Sequence, residues 1–310
     1  MQSKDRHDLP ATGSAKGVAI DLGIGAGAAF LGLLAWLVTG ARLPLQNLWA
    51  TGTLPDDMPL VLLPFSQYAL GLIVSVIVAG SAIAGAVARV LRARKRPRGV
   101  PAIAAGAVIV YLVALVQTWV SVSAGLLPGT ASVVYLAALV GGTVAAIVLG
   151  VVVLLLIARA PAPGLAVGVT IVAIVIGASM NGVVLPFGLS VIEPQELARG
   201  FAQWIPAIGV GVALAWSGFG TVGRALAAAG SLLLLWLGPA AFTAIAAAAG
   251  TRVLAGYPTE MAEFAGQVFV SLLGSPRESL VQVAIAIVTM LVALVAFRVI
   301  RNRRALDAAS

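Results

Sequence analysis

The sequence predicts an all-α, polytopic integral membrane protein: a bundle of about eight transmembrane helices with both termini in the cytoplasm. Three observations support this fold class. First, 61% of the 310 residues are hydrophobic and only 10% are charged, whereas soluble domains average about 45–50% apolar and about 25% charged residues. Second, the apolar residues form runs close to the roughly 20 residues that a spanning helix needs. Third, the basic residues concentrate in alternate loops.

The first four predicted spans follow a polar tail at residues 1–16. Each is an apolar run bounded by polar, proline or glycine residues, and the second runs directly into a strongly basic segment. These spans cover residues 18–39, 65–91, 101–122 and 131–158. The first is longer than the apolar core of a signal peptide, which is about 7–15 residues, so we expect it to remain in the protein as a helix.

The last four predicted spans cover residues 165–182, 203–219, 225–249 and 280–299. The sixth is short, but Trp204 and Trp216 bracket it, as aromatic residues bracket helices at membrane interfaces. The transmembrane domain is therefore expected to extend over residues 17–300, and a second cytoplasmic tail over residues 301–310.

The distribution of charge predicts the orientation. With eight spans and a cytoplasmic amino terminus, fifteen of the 19 basic residues lie on the cytoplasmic side. The four on the outer side are Arg42, Arg199, Arg252 and Arg277. Cytoplasmic loops of membrane proteins carry the excess of Lys and Arg. The sequence therefore predicts a multi-pass protein of the bacterial cytoplasmic membrane, although the bacterial origin rests only on composition.

One predicted outer segment, residues 258–274, has the pattern of an amphipathic helix. Met261, Phe264, Val268 and Leu272 recur at helical spacing, with polar residues among them. Two arrangements fit this pattern: a helix lying on the outer membrane surface and a helix packed over the bundle.

Residues suited to catalysis or to cofactor binding are scarce. The only histidine, His7, is in the amino-terminal tail, cysteine is absent, and no phosphate-binding loop occurs. The acidic pairs Asp56-Asp57, Glu193/Glu196 and Glu260/Glu263 lie in outer segments, where solvated loop charge explains them better than a metal site. We therefore predict no enzymatic activity, no catalytic or metal residues, and no cofactor.

Neutral polar residues form the most suggestive group. Gln67, Gln117, Asn181 and Gln203 all map to the outer half of their spans. Amides in a membrane need hydrogen-bond partners. They either pair across helices, which we favour, or line a water-filled vestibule. If they line a vestibule, Gln117→Leu should impair solute movement and leave folding intact.

Glycine and proline mark two further features. Gly238-Pro239 falls within the seventh span, where proline removes a backbone hydrogen bond and can kink or break the helix. Gly23/Gly27 and Gly164/Gly168 fit the close-packing motif of membrane helices. With 35 glycines in the chain, about four such pairs arise by chance, so the motif is weak evidence.

The segment after the second span carries the highest density of positive charge. Its six basic residues are Arg89, Arg92, Arg94, Lys95, Arg96 and Arg98. Next to a span, such a segment sets topology and contacts anionic lipid headgroups, so we predict lipid rather than nucleic acid as its partner.

Two functions fit these observations. The first is a non-enzymatic membrane subunit or scaffold that binds other envelope proteins or a second copy of itself. The alternative is a permease or channel-like protein for a small neutral or amphipathic solute. Hydration of the polar site distinguishes the two functions, because a carrier must admit water to that site, whereas a scaffold packs it dry.

Overall fold

The computed structural model describes residues 15–46, 48–93, 99–184, 204–251, 257–274 and 277–307. The side chains of residues 93, 178–184, 277–279, 301–302 and 304–307 are not described. Within these ranges the chain is helical and forms no strand, only two isolated β-bridges. The all-α prediction is confirmed for this part of the protein.

Nine α-helices lie within the described ranges. They are α1 (Ala15–Leu37), α2 (Leu70–Ala93), α3 (Val100–Gly125), α4 (Thr130–Arg159), α5 (Ala162–Val184), α6 (Ile205–Ser217), α7 (Val222–Gly250), α8 (Pro258–Gly274) and α9 (Arg277–Asp307). Two short 3₁₀ turns, Pro55–Asp57 and Gln67–Ala69, precede α2.

Six of these helices are long and apolar enough to cross a membrane. They are α1, α2, α3, α4, α7 and α9. Over the residues described, α5 and α6 contribute shorter apolar stretches, Ala162–Gly177 and Ile205–Ser217. These two correspond to the predicted fifth and sixth spans. The number of long apolar helices identifies a multi-pass membrane protein, since each must bury its side chains against other helices or against lipid.

The first four helices pack around one apolar core, with α1 parallel to α3. Asp21 of α1 lies against Gly99 at one end of the pair. At the other end, Trp36 of α1 and Thr118 of α3 both bond to the segment that precedes α2. α1 and α3 therefore cross the bundle in the same direction.

α2 and α4 also run parallel to each other, in the opposite direction to α1. Gly85 of α2 lies against Leu154 of α4, and Arg89, one turn further on, bonds to Ile157. Successive helices among α1–α4 are therefore antiparallel, as in a chain that crosses the bilayer four times.

The remaining helices form a second group beside α2 and α4. α5 contacts both of those helices and also α6 and α7, while α9 contacts α6 and α7. Tight approaches join them: Gly177 to Pro206, Gly211 to Ala286, and Gly238 to Ile174. α9 is the least enclosed of the six long helices, since only 6% of its most apolar 18-residue stretch is buried.

α8 packs against α7 through an apolar stripe. Met261, Phe264, Val268 and Leu272 are half-buried along this stripe, whereas the polar residues between them are exposed. Those exposed residues are Glu260, Glu263, Gln267 and Ser271. The amphipathic pattern of the sequence thus appears as one face towards α7 and one face away from it.

The bundle has two chemically distinct ends. We call the first the loop end, because the α1–α2 connection, residues 38–69, packs there beside the carboxyl ends of α3 and α7. We call the second the arginine end, because Arg89, Arg92 and Arg159 meet there at the carboxyl end of α4.

Candidate functional site

The α1–α2 connection is an ordered part of the core. Met58, Val61, Leu63 and Phe65 are all at most 1% exposed and pack with residues of α1–α4. The sequence predicts Phe65 as the start of the second span and the rest of this stretch only as an outer loop. Its alternating apolar residues instead seal the loop end of the four-helix group, because an extended chain points every second side chain the same way.

The antiparallel bridge between Arg42 and Leu60 satisfies part of the backbone of this segment, and the remaining backbone groups need other partners. Gln117 of α3 supplies two of them. Its Oε1 accepts a hydrogen bond from the Leu62 amide at 2.9 Å, and its Nε2 donates to the Leu60 carbonyl at 3.0 Å. The next residue, Thr118, accepts from the Leu63 amide through Oγ1 at 3.0 Å. One turn of α3 therefore serves as the pairing edge for residues 60–63.

Two further side chains complete this arrangement, which we call the loop clamp: Trp36, Gln46, Gln117 and Thr118. Trp36 Nε1 donates to the Val61 carbonyl at 3.0 Å. Gln46 Nε2 donates to the Phe65 carbonyl at 2.7 Å, and Gln46 Oε1 accepts from the Tyr135 hydroxyl at 2.6 Å. The clamp thus connects α1, α3 and α4 to one segment of backbone.

Of the four predicted outer amides, only Gln67 and Gln117 have side chains within the described residues, so their clustering stays a prediction. Gln67 Nε2 donates to the Gly250 carbonyl at 3.1 Å and so joins the start of α2 to the end of α7. Gln117 belongs to the loop clamp. Asn181 lies in the last turns of α5, but its side chain is outside the described part, and Gln203 lies wholly outside it.

The sequence pattern did not single out Trp36, Gln46, Thr118 and Tyr135. Three of them sit in or beside apolar spans, where a single polar atom is not distinctive, and Gln46 sits in a stretch assigned to a loop. A usable signal was the adjacency of Gln117 and Thr118, two hydrogen-bonding side chains side by side near the end of an apolar span.

The Gly238-Pro239 pair does not end a helix, because α7 continues through it to Gly250. Proline still leaves the Leu235 carbonyl without its usual helical donor. Ser217 Oγ of α6, and Ser231 Oγ and Trp236 Nε1 of α7, are buried and have no hydrogen-bond partner among the described residues. The second helix group therefore contains polar atoms that its own packing does not satisfy.

At the arginine end, two side chains of α2 cap α4. Arg89 Nη1 donates to the Ile157 and Ala160 carbonyls at 2.8 and 3.0 Å. Arg92 Nη1 donates to the Ala158 and Arg159 carbonyls at 3.4 and 3.0 Å. The last carbonyls of a helix lack intrahelical donors and carry partial negative charge, so cations are favourable there.

The basic residues of the predicted lipid-contacting segment are only partly described. Arg89 and Arg92 occupy the positions just given, whereas Arg94, Lys95, Arg96 and Arg98 lie outside the described residues. Next to this segment, Asp21 is 4% exposed and faces Gly99, the residue before α3. A carboxylate at the amino end of a helix is stabilised by the helix dipole.

No group of three or more His, Asp or Glu residues comes together as a metal site in the part of the chain that the structure describes. Asp56 and Asp57 are exposed on their 3₁₀ turn, and Glu260 and Glu263 are exposed on α8. The acids that are described at the loop end are therefore solvent-facing.

Comparison of the chain with protein-family models, with curated proteins and with solved structures finds no match in any of the three.

Proposed function

We propose that the protein is a non-enzymatic, multi-pass subunit or scaffold of the bacterial cytoplasmic membrane, which binds other envelope proteins or a second copy of itself. The observation that supports this proposal is the use made of the amides at the loop end. Gln46, Gln67 and Gln117 bond to backbone groups of the protein's own loops and helix ends, so they hold the bundle together and leave little capacity to bind a solute.

The proposal includes eight passes, with the arginine end and both termini in the cytoplasm. The alternating directions of α1–α4 support an even number of crossings up to α4. Arg89, Arg92 and Arg159 at one end, against Arg42 at the other, support the orientation, because basic residues concentrate on the cytoplasmic side.

A permease for a small neutral or amphipathic solute is the second candidate. Three polar groups that are buried and have no partner among the described residues favour it: Ser217, Ser231 and Trp236. A polar atom without a partner in an apolar environment is costly unless a ligand or water satisfies it. This candidate places the solute in the second helix group rather than at the loop clamp.

Single cysteines distinguish the two candidates, since the natural chain has none. We choose Ala114→Cys beside the loop clamp and Ser231→Cys in α7, both 0% exposed, with Tyr68→Cys, 64% exposed, as the positive control. Intact cells are treated with a membrane-impermeant maleimide. For a scaffold, only Tyr68→Cys should react, because the other two sites are packed dry.

Two outcomes of the labelling contradict the scaffold proposal. Reaction of Ala114→Cys at a rate similar to that of Tyr68→Cys would show water beside the clamp. Reaction of Ser231→Cys, with Ala114→Cys remaining unreactive, would favour the permease. Labelling of all three variants after denaturation in detergent controls for expression and for thiol reactivity.

The partner is tested separately, by a photo-crosslinking amino acid at Val288 or Val292 on the exposed side of α9. We expect a discrete cross-linked species in membranes, because α9 offers more free apolar surface than the other long helices. A crosslinker at Val113, exposed on α3, is the matched control. Absence of any protein adduct from α9 would contradict the partner that we assign to this face.

A further inference from the structure

Four arginines from three helices converge at the arginine end. Arg89 and Arg92 bond to carbonyls of residues 157–160, which fall within about one helical turn of 5.4 Å pitch. Arg159 is part of the same turn. Arg224 of α7 reaches the turn just after α6. Its Nη1 would lie 3.9 Å from a Cβ added to Gly218 and 3.8 Å from a Cβ added to Gly220.

These four cations have no acidic partner among the described residues. None of Arg89, Arg92, Arg159 and Arg224 forms an ion pair within the ranges described, where Arg89 and Arg92 contact carbonyl oxygens and an aromatic ring. Within the described residues both guanidiniums bond through Nη1 alone, and Nη2 and Nε keep their donors there. An anion placed among like charges relieves their mutual repulsion.

An aromatic side chain borders the same place. The Arg89 guanidinium lies over the Trp216 ring, 5.7 Å from its centroid, and Trp216 is 53% exposed at the end of α6. Tryptophan concentrates at the headgroup level of membranes. The position of Trp216 beside Arg89 therefore supports placing the arginine end at the headgroup level.

We propose that Arg89, Arg92, Arg159 and Arg224, with Trp216, form a specific binding site for a phosphate group, carried by an anionic phospholipid or supplied as free phosphate. Two guanidiniums held by carbonyls present open donors in the fork geometry that suits phosphate oxygens. Arg159 and Arg224 complete the positive surroundings from α4 and α7. This goes beyond diffuse attraction of the basic segment to lipid, because the four positions come from three helices and depend on their packing.

The test uses the purified full-length protein in a neutral detergent. Thermal unfolding, followed by tryptophan fluorescence, is measured against increasing phosphatidylglycerol, against phosphatidylcholine, and against inorganic phosphate. We expect saturable stabilisation by phosphatidylglycerol and none by phosphatidylcholine. In Arg92→Gln/Arg159→Gln, the apparent affinity should fall roughly thirty-fold, since each basic residue near a charged membrane surface contributes a factor of about five.

The matched control is Arg298→Gln/Arg303→Gln, which removes the same charge from exposed positions of α9 and should leave the affinity unchanged. Arg159→Gln alone serves if the double variant does not fold, because the Arg159 side chain has no bond within the described structure. The same variant dependence with inorganic phosphate alone would assign the site to a soluble phosphate. Equal losses in the two double variants, or no saturable effect of either anion, would overturn the proposal.

Discussion

Gly25→Ala will disrupt the packing of α1 on α3, whereas Gly27→Ala, two residues away on the same helix, will be tolerated. A Cβ at position 25 would lie 1.9 Å from the Ile103 carbonyl oxygen, but a Cβ at position 27 meets no atom within 4 Å. Both changes improve intrinsic helix propensity equally. Any difference between them therefore reports the contact between the two helices.

The cost of Gly25→Ala is expected at or above the upper end of the range for overpacked cores, about 1–3 kcal/mol. The atoms in the way belong to backbone, which cannot rotate aside as a side chain can. The measurement is the midpoint of thermal unfolding in detergent, with the monodisperse fraction on size-exclusion chromatography. Gly106→Ala should behave like Gly25→Ala, because its Cβ would lie 2.1 Å from the Leu22 carbonyl oxygen. Equal stability of the position 25 and position 27 variants would show that α1 and α3 do not approach in this way.

Gln117→Leu is expected to loosen the α1–α2 connection. The change removes the Gln117 amide bonds to Leu60 and Leu62, along with those to Thr118 and Ser121, and leaves the Leu62 N–H without its acceptor at the edge of the core. Leaving a buried donor unsatisfied costs about 1–3 kcal/mol. Because these bonds hold backbone groups that the Arg42–Leu60 bridge does not pair, this energy favours local opening of the loop rather than global unfolding.

Limited digestion with trypsin measures this opening. Arg42 is the only basic residue between Lys16 and Arg89, and in the native protein it donates to the Met58 carbonyl at 2.8 Å. Cleavage after Arg42 should become about ten-fold faster in Gln117→Leu, since digestion follows the population of the open loop. Ser123→Ala, which alters an exposed hydroxyl bonded within α3, is the control. If Gln117→Leu resists trypsin as the natural protein does, Gln117 is not a structural clamp, and the vestibule interpretation of this residue regains support.

The local features of the chain were predictable from its sequence. Long apolar runs locate α1–α4, α7 and α9, because a helix in a bilayer must satisfy its own backbone and expose apolar side chains. The spacing of Met261, Phe264, Val268 and Leu272 describes an amphipathic helix at residues 258–274, where α8 lies. These features depend on residues that are close neighbours along the chain.

The glycine contacts were not predictable in this way. The Gly23/Gly27 motif suggests a packing face on α1, yet a Cβ added at either position would have no atom within 4 Å, and the intervening Gly25 makes the contact. A helix that is apolar all round carries no sign of which side faces a neighbour. Only the packed bundle determines the rotation of α1 about its axis.

The sequence by itself thus determined a multi-pass helical membrane protein, the approximate position of its helices and the unequal distribution of charge between its loops, since each depends on hydrophobicity and charge along a short stretch of chain. The tertiary structure alone decided what the polar residues do. Gln117 meets the backbone of Leu62 across 55 positions of sequence, and Arg89 meets Ile157 across 68. Contacts at such separations follow from the direction and rotation of whole helices, which the local pattern of an almost uniformly apolar chain does not encode.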